Sequence, residues 1–174
     1  DHIKLVASSP IRNIATLGGN LVNASPIGDF TAFFLALNAN ITLTENGRDK
    51  TIPLKDFYKG YKELDKTPGE IISSISFNVP IENSHFNFEK VSKRIHLDIA
   101  SVNTAIQISM ANNAIIGTHL SAGGVGPTPK YLGETSAFLN GEKLSSQNIK
   151  SANDLLQGEI SPISDVRGSA NYKR

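Results

Sequence analysis

The sequence predicts an α+β protein of two lobes, a small α/β lobe over residues 1–80 and a second lobe over residues 81–174. A dense apolar run at residues 30–37 lies among short alternating segments rich in β-branched residues, and this mixture of periods indicates both helices and strands. Residues 80–84 (PIENS) then interrupt the pattern with a proline and polar residues, and this interruption predicts the boundary between the two lobes.

The first lobe is expected to hold one buried helix and several strands. Residues 30–37 (FTAFFLAL) predict the helix, with Asp29 near its N-cap. Residues 41–44 and 50–53 predict a hairpin around the turn at residues 45–48. The amphipathic pattern of residues 54–61 predicts a short helix, and residues 70–79 predict a strand that ends at Pro80.

The second lobe is expected to be a three-stranded antiparallel sheet backed by helices. Its strands are predicted at residues 87–92, 101–110 and 114–122, and the last two form a hairpin at Asn112 and Asn113 because asparagine tolerates the left-handed backbone of such turns. Helices are predicted at residues 131–139, at residues 146–157 and from Ser169 onward; Gly141 is a C-terminal signal for the first of them.

Composition excludes several classes of function. With 17 basic and 16 acidic residues the net charge is +1, which argues against nucleic acid as a partner, and no apolar window is long enough to make the membrane a partner. The chain has no cysteine, so it holds no disulfide, thiolate nucleophile or Cys-ligated cluster, and we expect it to be cytoplasmic. Its four histidines lack metal-ligand spacing, which predicts no metal site.

The most informative stretch is IRNIATLGGNLVNASPIGD at residues 11–29. Gly18 and Gly19 let another molecule approach the backbone closely, while Thr16 and Asn20 add short side chains that donate and accept hydrogen bonds. Such a stretch suits a hydroxylated, phosphate-bearing ligand held largely by backbone amides. The alternative is a purely structural glycine turn followed by a helix cap.

This stretch resembles the second flavin-contacting segment of the FAD domain of the molybdenum hydroxylases, the family of xanthine dehydrogenase, aldehyde oxidase and carbon monoxide dehydrogenase. Further segments resemble the family in the same order and extend the likeness over essentially the whole chain; the pattern is closer to the xanthine dehydrogenase branch. They are PLKDFYKGYK (53–62), GEIISSI (69–75), FEKVSKRIHLDIASVN (88–103), SAGGVGPTPK (121–130) and GSANYKR (168–174).

The resemblance implies a second lobe like the C-terminal domain of the carbon monoxide dehydrogenase flavoprotein, and a set of FAD contacts. Lys90 would lie near the flavin ring, where a cation raises the reduction potential, although a shift of one residue would put Glu89 there. The full set of implied contacts is Ile11, Thr16, Leu17, Gly18, Gly19, Asn20, Asn23, Asp29, Ile72 and Lys90.

Asp98 near Lys90 can pair with Arg94 instead of reaching the cofactor. Residues 95–97 (IHL) replace the acidic residues common in animal members of the family, a departure that bears on access of a nicotinamide. Of the four histidines, His96 alone is a candidate for a functional role, because of these neighbours. The segment SAGGVGPTPK lacks the order of a nucleotide-binding loop, so we interpret it as a strand-to-helix turn packed under the flavin lobe.

The resemblance also implies a function. FAD would take electrons from a [2Fe-2S] cluster and a molybdenum cofactor on other segments or subunits, and pass them to NAD⁺ or another acceptor; the redox chemistry belongs to the cofactor, so no catalytic residue is assigned. The chain starts without Met and ends inside a predicted helix, so we expect an inactive fragment that binds FAD weakly or not at all, because the family's first phosphate-binding loop lies upstream.

Two other functions are considered. A scaffold module of the same fold that no longer binds flavin is the main alternative. A flavoprotein of the vanillyl-alcohol-oxidase type would share a related FAD lobe, but the segments at 88–103 and 168–174 argue against it.

Overall fold

The computed structural model describes residues 2–94 and 97–174, so the sequence observations on Ile95 and His96 lie outside the described residues. The first lobe starts with a 3₁₀ helix at His2–Leu5. Its helices are α1 (Ser9–Ile14), α2 (Leu17–Val22) and α3 (Asp29–Ala36). Its strands are β1 (Asn40–Glu45), β2 (Arg48–Pro53), β3 (Tyr58–Gly60), β4 (Glu63–Leu64) and β5 (Ile71–Ser76).

The main sheet of the first lobe is antiparallel, in the order β2-β1-β5. Its hairpin turns at Asn46 and Gly47, whose φ angles of 51° and 74° are the left-handed values that a two-residue turn requires. The predicted hairpin is therefore confirmed. The predicted strand at 70–79 is shorter in the structure, where β5 ends at Ser76.

The second lobe is a four-stranded antiparallel sheet in the order β6-β7-β8-β9, with helices packed on it. Three long strands were expected, and the two-residue β9 extends them at one edge. The φ angles of Asn112 and Asn113, 49° and 62°, confirm the predicted turn. The elements are β6 (Ser84–Val91), β7 (Val102–Ala111), β8 (Ala114–Gly123), β9 (Lys130–Tyr131), α4 (Gly133–Leu139), α5 (Ser146–Glu159) and α6 (Ala170–Lys173).

Helix α3 lies between the two sheets, which explains why its sequence is apolar on every side. Leu35 packs with Ile41 in the core of the first lobe. The small residues Ala32 and Ala36 face the other way and pack against Phe88 of the second lobe. The two lobes therefore share α3 as a common core element.

The SAGGVGPTPK segment packs against the first lobe, as predicted. The hydroxyl of Ser121 donates to the carbonyl of Ala32 at 2.6 Å, inside the interface. The amide of Gly124 donates to the carbonyl of Pro26 at 2.8 Å. Gly124 has a φ of +82°, and a Cβ there would lie 2.4 Å from the carbonyl oxygen of Ser101, so only glycine fits this turn.

The helix predicted at residues 54–61 is wrong beyond its first turn. A 3₁₀ helix covers Leu54–Asp56, and the chain then extends into β3. Phe57 is fully buried, and the hydroxyl of Tyr58 donates to the carbonyl of Leu21 at 3.1 Å. These tertiary contacts draw the backbone away from the helical path. Burial raises the pKa of Tyr58 to about 12, against the opposing effect of its hydrogen bond with Thr31.

The glycine stretch is also more regular than expected. Gly18 and Gly19 lie in the first turn of α2 and not in a left-handed loop. The helix begins there because Thr16 is its N-cap and accepts a hydrogen bond from the amide of Gly19 at 3.0 Å. Among the described residues, no helix is both long and apolar enough to cross a membrane.

Burial of Phe57 should make a large contribution to stability. We expect Phe57→Ala to lower the free energy of unfolding by about 3–5 kcal/mol, because it empties a fully buried site. Tyr61→Ala is the matched control: its side chain is 65% exposed, so the loss should stay within about 0.5 kcal/mol. Urea denaturation measures both, and equal losses would contradict the observed path of this segment.

Candidate functional site

The contacts in the structure sort the predicted site residues into two groups. The first group lies on and around α2 and reaches β5. The second lies at the seam between the lobes, where α3 meets β6 and β7.

The first group is built around a close approach of α2 to β5. A Cβ on Gly18 would lie 3.5 Å from both the Cβ and the carbonyl oxygen of Ile72, so the helix packs on the strand through a glycine. Ile72 is partly buried against the core of the first lobe. Gly19 faces outward, and its exposed backbone leaves room for another molecule. Two predicted site residues, 54 positions apart, are thus neighbours.

Asn20 carries an unused hydrogen-bond acceptor. Its Oδ1 atom is buried and has no hydrogen-bond partner among the described residues. A buried polar atom without a partner costs free energy, so such atoms are usually found where a ligand or water completes them. An amide oxygen accepts from hydroxyl groups, and the ribityl chain and the ribose of FAD carry several. The residues around α2 therefore fit a hydroxylated cofactor.

Exposed apolar side chains extend this surface. Ile11 is 52% exposed and Leu17 is 42% exposed, and Ile14 between them is even more open. Apolar side chains clustered in this way mark a surface that contacts another molecule or segment. Asn23 ends the group as the C-cap of α2, and the ammonium group of Lys62 donates to its carbonyl and side-chain oxygens.

The second group is a buried ion pair across the seam. Lys90 Nζ lies 2.7 Å from Asp29 Oδ2, and the two side chains are only 8% and 12% exposed. Lys90 also donates to the carbonyl of Leu5 at 3.0 Å. Gly28 is the N-cap of α3 and Asp29 is its first residue, so the predicted placement near the cap is confirmed, but the carboxylate faces Lys90.

Asn103 completes this group and was missed by the sequence analysis. Its Nδ2 donates to Asp29 Oδ1 at 2.7 Å and to the carbonyl of Ile27 at 3.2 Å. We call Asp29, Lys90 and Asn103 the interlobe triad. Asn103 stands among several polar residues of the predicted strand at 101–110, so no local pattern in the sequence singled it out.

Glu89 and Lys90, the two residues considered for a place near the flavin ring, lie on opposite faces of β6. The side chain of Glu89 is exposed, and its Oε1 accepts a hydrogen bond from Asn87 at 3.0 Å on the same face of the strand. Lys90 points inward to Asp29. Lys90 is therefore the residue of this strand that reaches the seam.

A basic cleft of about 900 Å³ opens beside the triad, between residues 4–12 on one side and residues 90–94 with Leu97 and Asp98 on the other. Of the residues that the structure describes, five cations line it: Lys4, Arg12, Lys90, Lys93 and Arg94. Arg12 also fixes the wall of the cleft, because its guanidinium donates to the carbonyl of Val6 at 2.6 Å. A cleft with this charge favours anionic ligands.

Asp98 stays within the wall of this cleft. It lies 3.4 Å from both Arg94 and Arg167, which confirms the pairing with Arg94 that was left open. Burial raises the pKa of Asp98, but hydrogen bonds from the backbone amides of Arg94 and Ile99, with the Arg94 guanidinium, outweigh it and hold the pKa below its ordinary 3.8. Lys93 donates to the carbonyl of Val166 at 2.9 Å, so a residue near the C-terminus helps to hold this wall of the cleft.

Comparison with known proteins identifies the class. Residues 1–80 match the model of the FAD binding domain in molybdopterin dehydrogenase, and residues 87–174 match that of the CO dehydrogenase flavoprotein C-terminal domain. The chain therefore belongs to the family of FAD-binding flavoprotein chains of the molybdenum hydroxylases, as its sequence motifs predicted.

Individual relatives agree with this assignment. The chain is 30% identical to the glyceraldehyde dehydrogenase medium chain of Sulfolobus acidocaldarius, over 98% of its own length and 60% of that protein. It is 33% identical to the xanthine dehydrogenase of Emericella nidulans, over 83% of its own length and 11% of that protein. The chain thus spans about 60% or less of these relatives.

A solved structure confirms the fold. Reconstituted CO dehydrogenase from Oligotropha carboxidovorans superposes with a TM-score of 0.91 at 28% identity, covering 97% of this chain and 59% of that one. The predicted α+β architecture is therefore confirmed over both lobes.

The contributions of Asp29 and Lys90 to the free energy of unfolding should be strongly coupled. Lys90→Met leaves the Asp29 carboxylate buried without its cation, so we expect the free energy of unfolding to fall by about 3–5 kcal/mol. In a double-mutant cycle with Asp29→Leu, the double variant should lose about 0.5–3 kcal/mol less than the sum of the two single variants.

The control for this cycle is Lys50→Met. Lys50 pairs with Asp65 at 3.4 Å on the surface, where the two side chains are 49% and 37% exposed, so its loss should cost less than about 1 kcal/mol. Additive effects of Asp29→Leu and Lys90→Met would show that the buried pair carries no coupling.

Proposed function

We propose that this chain forms the flavin site of a molybdenum hydroxylase and holds FAD against α2, β5 and the seam between the lobes. The observation that carries this proposal is the buried Oδ1 of Asn20, which has no hydrogen-bond partner among the described residues and adjoins the exposed residue Gly19. The residues proposed to contact FAD are Ile11, Thr16, Leu17, Gly18, Gly19, Asn20, Asn23, Asp29, Ile72 and Lys90.

Each part of the site has a distinct task. The carboxamide of Asn20 accepts a hydrogen bond from a cofactor hydroxyl, and the open backbone at Gly19 allows close approach. Ile72 offers an apolar surface to the flavin ring, while Ile11 and Leu17 exclude water around it. Bound FAD supplies the redox chemistry, taking up electrons and releasing them as a hydride or singly.

Lys90 supplies positive charge to the site, and Asp29 limits how much. A cation near the flavin stabilises negative charge on the reduced ring and so raises the reduction potential. Because Asp29 Oδ2 lies 2.7 Å from Lys90 Nζ, the field of the ammonium is partly neutralised inside the protein.

The wider reaction rests on the relatives. A xanthine dehydrogenase and a CO dehydrogenase are among the proteins this chain resembles. We propose that electrons reach the flavin from a [2Fe-2S] cluster and a molybdenum cofactor, both on other segments or subunits of a cytoplasmic complex, and that the isolated 174 residues are inactive.

Flavin content tests the proposal. We expect about one FAD per chain when the whole coding sequence is expressed, measured by visible absorption. Asn20→Leu removes the acceptor and Gly19→Val blocks the close approach, so each should weaken FAD binding at least about tenfold. The 174 residues alone should bind FAD weakly or not at all.

Asn153→Leu is the matched control, because Asn153 is an exposed residue of α5. It should leave FAD content unchanged. A well-folded whole chain without flavin would contradict the proposal and favour a scaffold module that has lost the cofactor.

The basic cleft beside the triad favours NAD⁺ as the electron acceptor. Its basic side chains outnumber the one carboxylate among the described lining residues, Asp98, which suits the pyrophosphate of a dinucleotide, and its size of about 900 Å³ suits one as well. The cleft includes Lys90, so a dinucleotide there would lie next to the proposed flavin site.

Removal of a positive charge from the cleft tests whether NAD⁺ binds there as the electron acceptor. Arg94 is 70% exposed on its rim, so Arg94→Gln in the flavin-loaded enzyme should weaken NAD⁺ binding by about 0.5–1 kcal/mol, which raises KM about two- to fivefold with kcat unchanged. Arg48→Gln, at the start of β2, is the control and should leave KM as it is. An unchanged KM in Arg94→Gln would contradict binding of NAD⁺ in this cleft.

A further inference from the structure

We propose that Asn103 is a positioning residue of the flavin site, which orients the Asp29 carboxylate and thereby sets the charge that Lys90 presents to the flavin. This inference rests on the proposed function.

Asn103 is placed to hold Asp29 rigidly. It is 1% exposed in the middle of the sheet, where β7 is paired with β6 on one side and β8 on the other. Both hydrogens of its Nδ2 point into the first lobe, one to Asp29 Oδ1 at 2.7 Å and one to the carbonyl of Ile27 at 3.2 Å. A strand of the second lobe therefore fixes a side chain of the first.

The two oxygens of the Asp29 carboxylate have different partners. Oδ1 accepts from Asn103, and Oδ2 accepts from Lys90 at 2.7 Å. Because Asn103 is a neutral donor, its hydrogen bond keeps Asp29 Oδ1 turned away from the ammonium group of Lys90. Without Asn103 the carboxylate is free to turn both oxygens toward Lys90, which neutralises the cation more completely.

Gly123 leaves room for the carboxamide oxygen of Asn103 on the opposite side. Asn103 and Gly123 are direct partners across β7 and β8. A Cβ at position 123 would lie 2.3 Å from Asn103 Oδ1, a distance that real contacts do not allow. The Asn103 side chain thus occupies the space that a larger residue would fill, and a substitution at Gly123 displaces it without altering Asp29 or Lys90.

The consequence is a shift of the flavin potential. More complete neutralisation of Lys90 weakens binding of the negatively charged reduced flavin more than binding of the oxidised form. We expect Asn103→Leu to lower the ratio of the two affinities about tenfold, which is a midpoint potential lower by about 30 mV for a two-electron couple. Gly123→Ala should shift the potential in the same direction.

The experiment uses the whole chain loaded with FAD and a dye-coupled redox titration. Asn87→Leu, an exposed asparagine on the neighbouring strand β6, is the matched control and should keep the wild-type potential. A role of Asn103 in stability alone would lower the melting temperature without moving the potential, so the titration separates the two roles. Gly123→Ala provides the same test if Asn103→Leu does not fold.

The possible results distinguish a failure of this inference from a failure of the proposed function. A lower potential in Asn103→Leu or Gly123→Ala, with Asn87→Leu unchanged, supports the inference. A wild-type potential in the flavin-loaded variants overturns it and leaves the proposed function intact. If the folded wild-type protein expressed from the whole coding sequence takes up no FAD, the proposed function is overturned, and this inference with it.

Discussion

The buried pair between Asp29 and Lys90 is the constraint on which the arrangement of the two lobes depends. Its atoms are 2.7 Å apart at the start of α3 and on β6, 61 residues apart in the chain. A pair of charges removed from water is costly to separate, because each partner would then remain buried alone. The pair therefore fixes the register of β6 against α3 more strictly than apolar contacts, which tolerate small displacements.

The contacts of the triad also hold the connection that leads to the proposed cofactor surface. Residues 23–28 join the end of α2 to the start of α3, and their carbonyls at Pro26 and Ile27 are bonded to the second lobe. With both ends of this connection held, α2 is placed on β5, where Gly18 meets Ile72. The apolar side chains of α1 and α2 remain outside, which is the arrangement that a surface for a cofactor requires.

Sequence predicted the features that depend on neighbouring residues and missed those that depend on distant ones. The turns at Asn46-Gly47 and Asn112-Asn113 follow from local backbone preferences, and the family motifs located both Asp29 and Lys90. Their pairing, and the partnership of Asp29 with Asn103 across 74 residues, could not be read from local patterns. The helix predicted at 54–61 failed for the same reason, because the Tyr58 hydroxyl bonds to Leu21. The separation into lobes at residue 80 stays a prediction.

Hydrogen–deuterium exchange of the protein expressed from its whole coding sequence, with FAD bound and after its removal, shows which amides the cofactor covers. We expect FAD to slow exchange of the amides at residues 16–23, around Ile72 and around Lys90, and to leave α5 unchanged. Protection confined to other parts of the chain, with residues 16–23 exchanging at the same rate in both states, would contradict the site described for this protein.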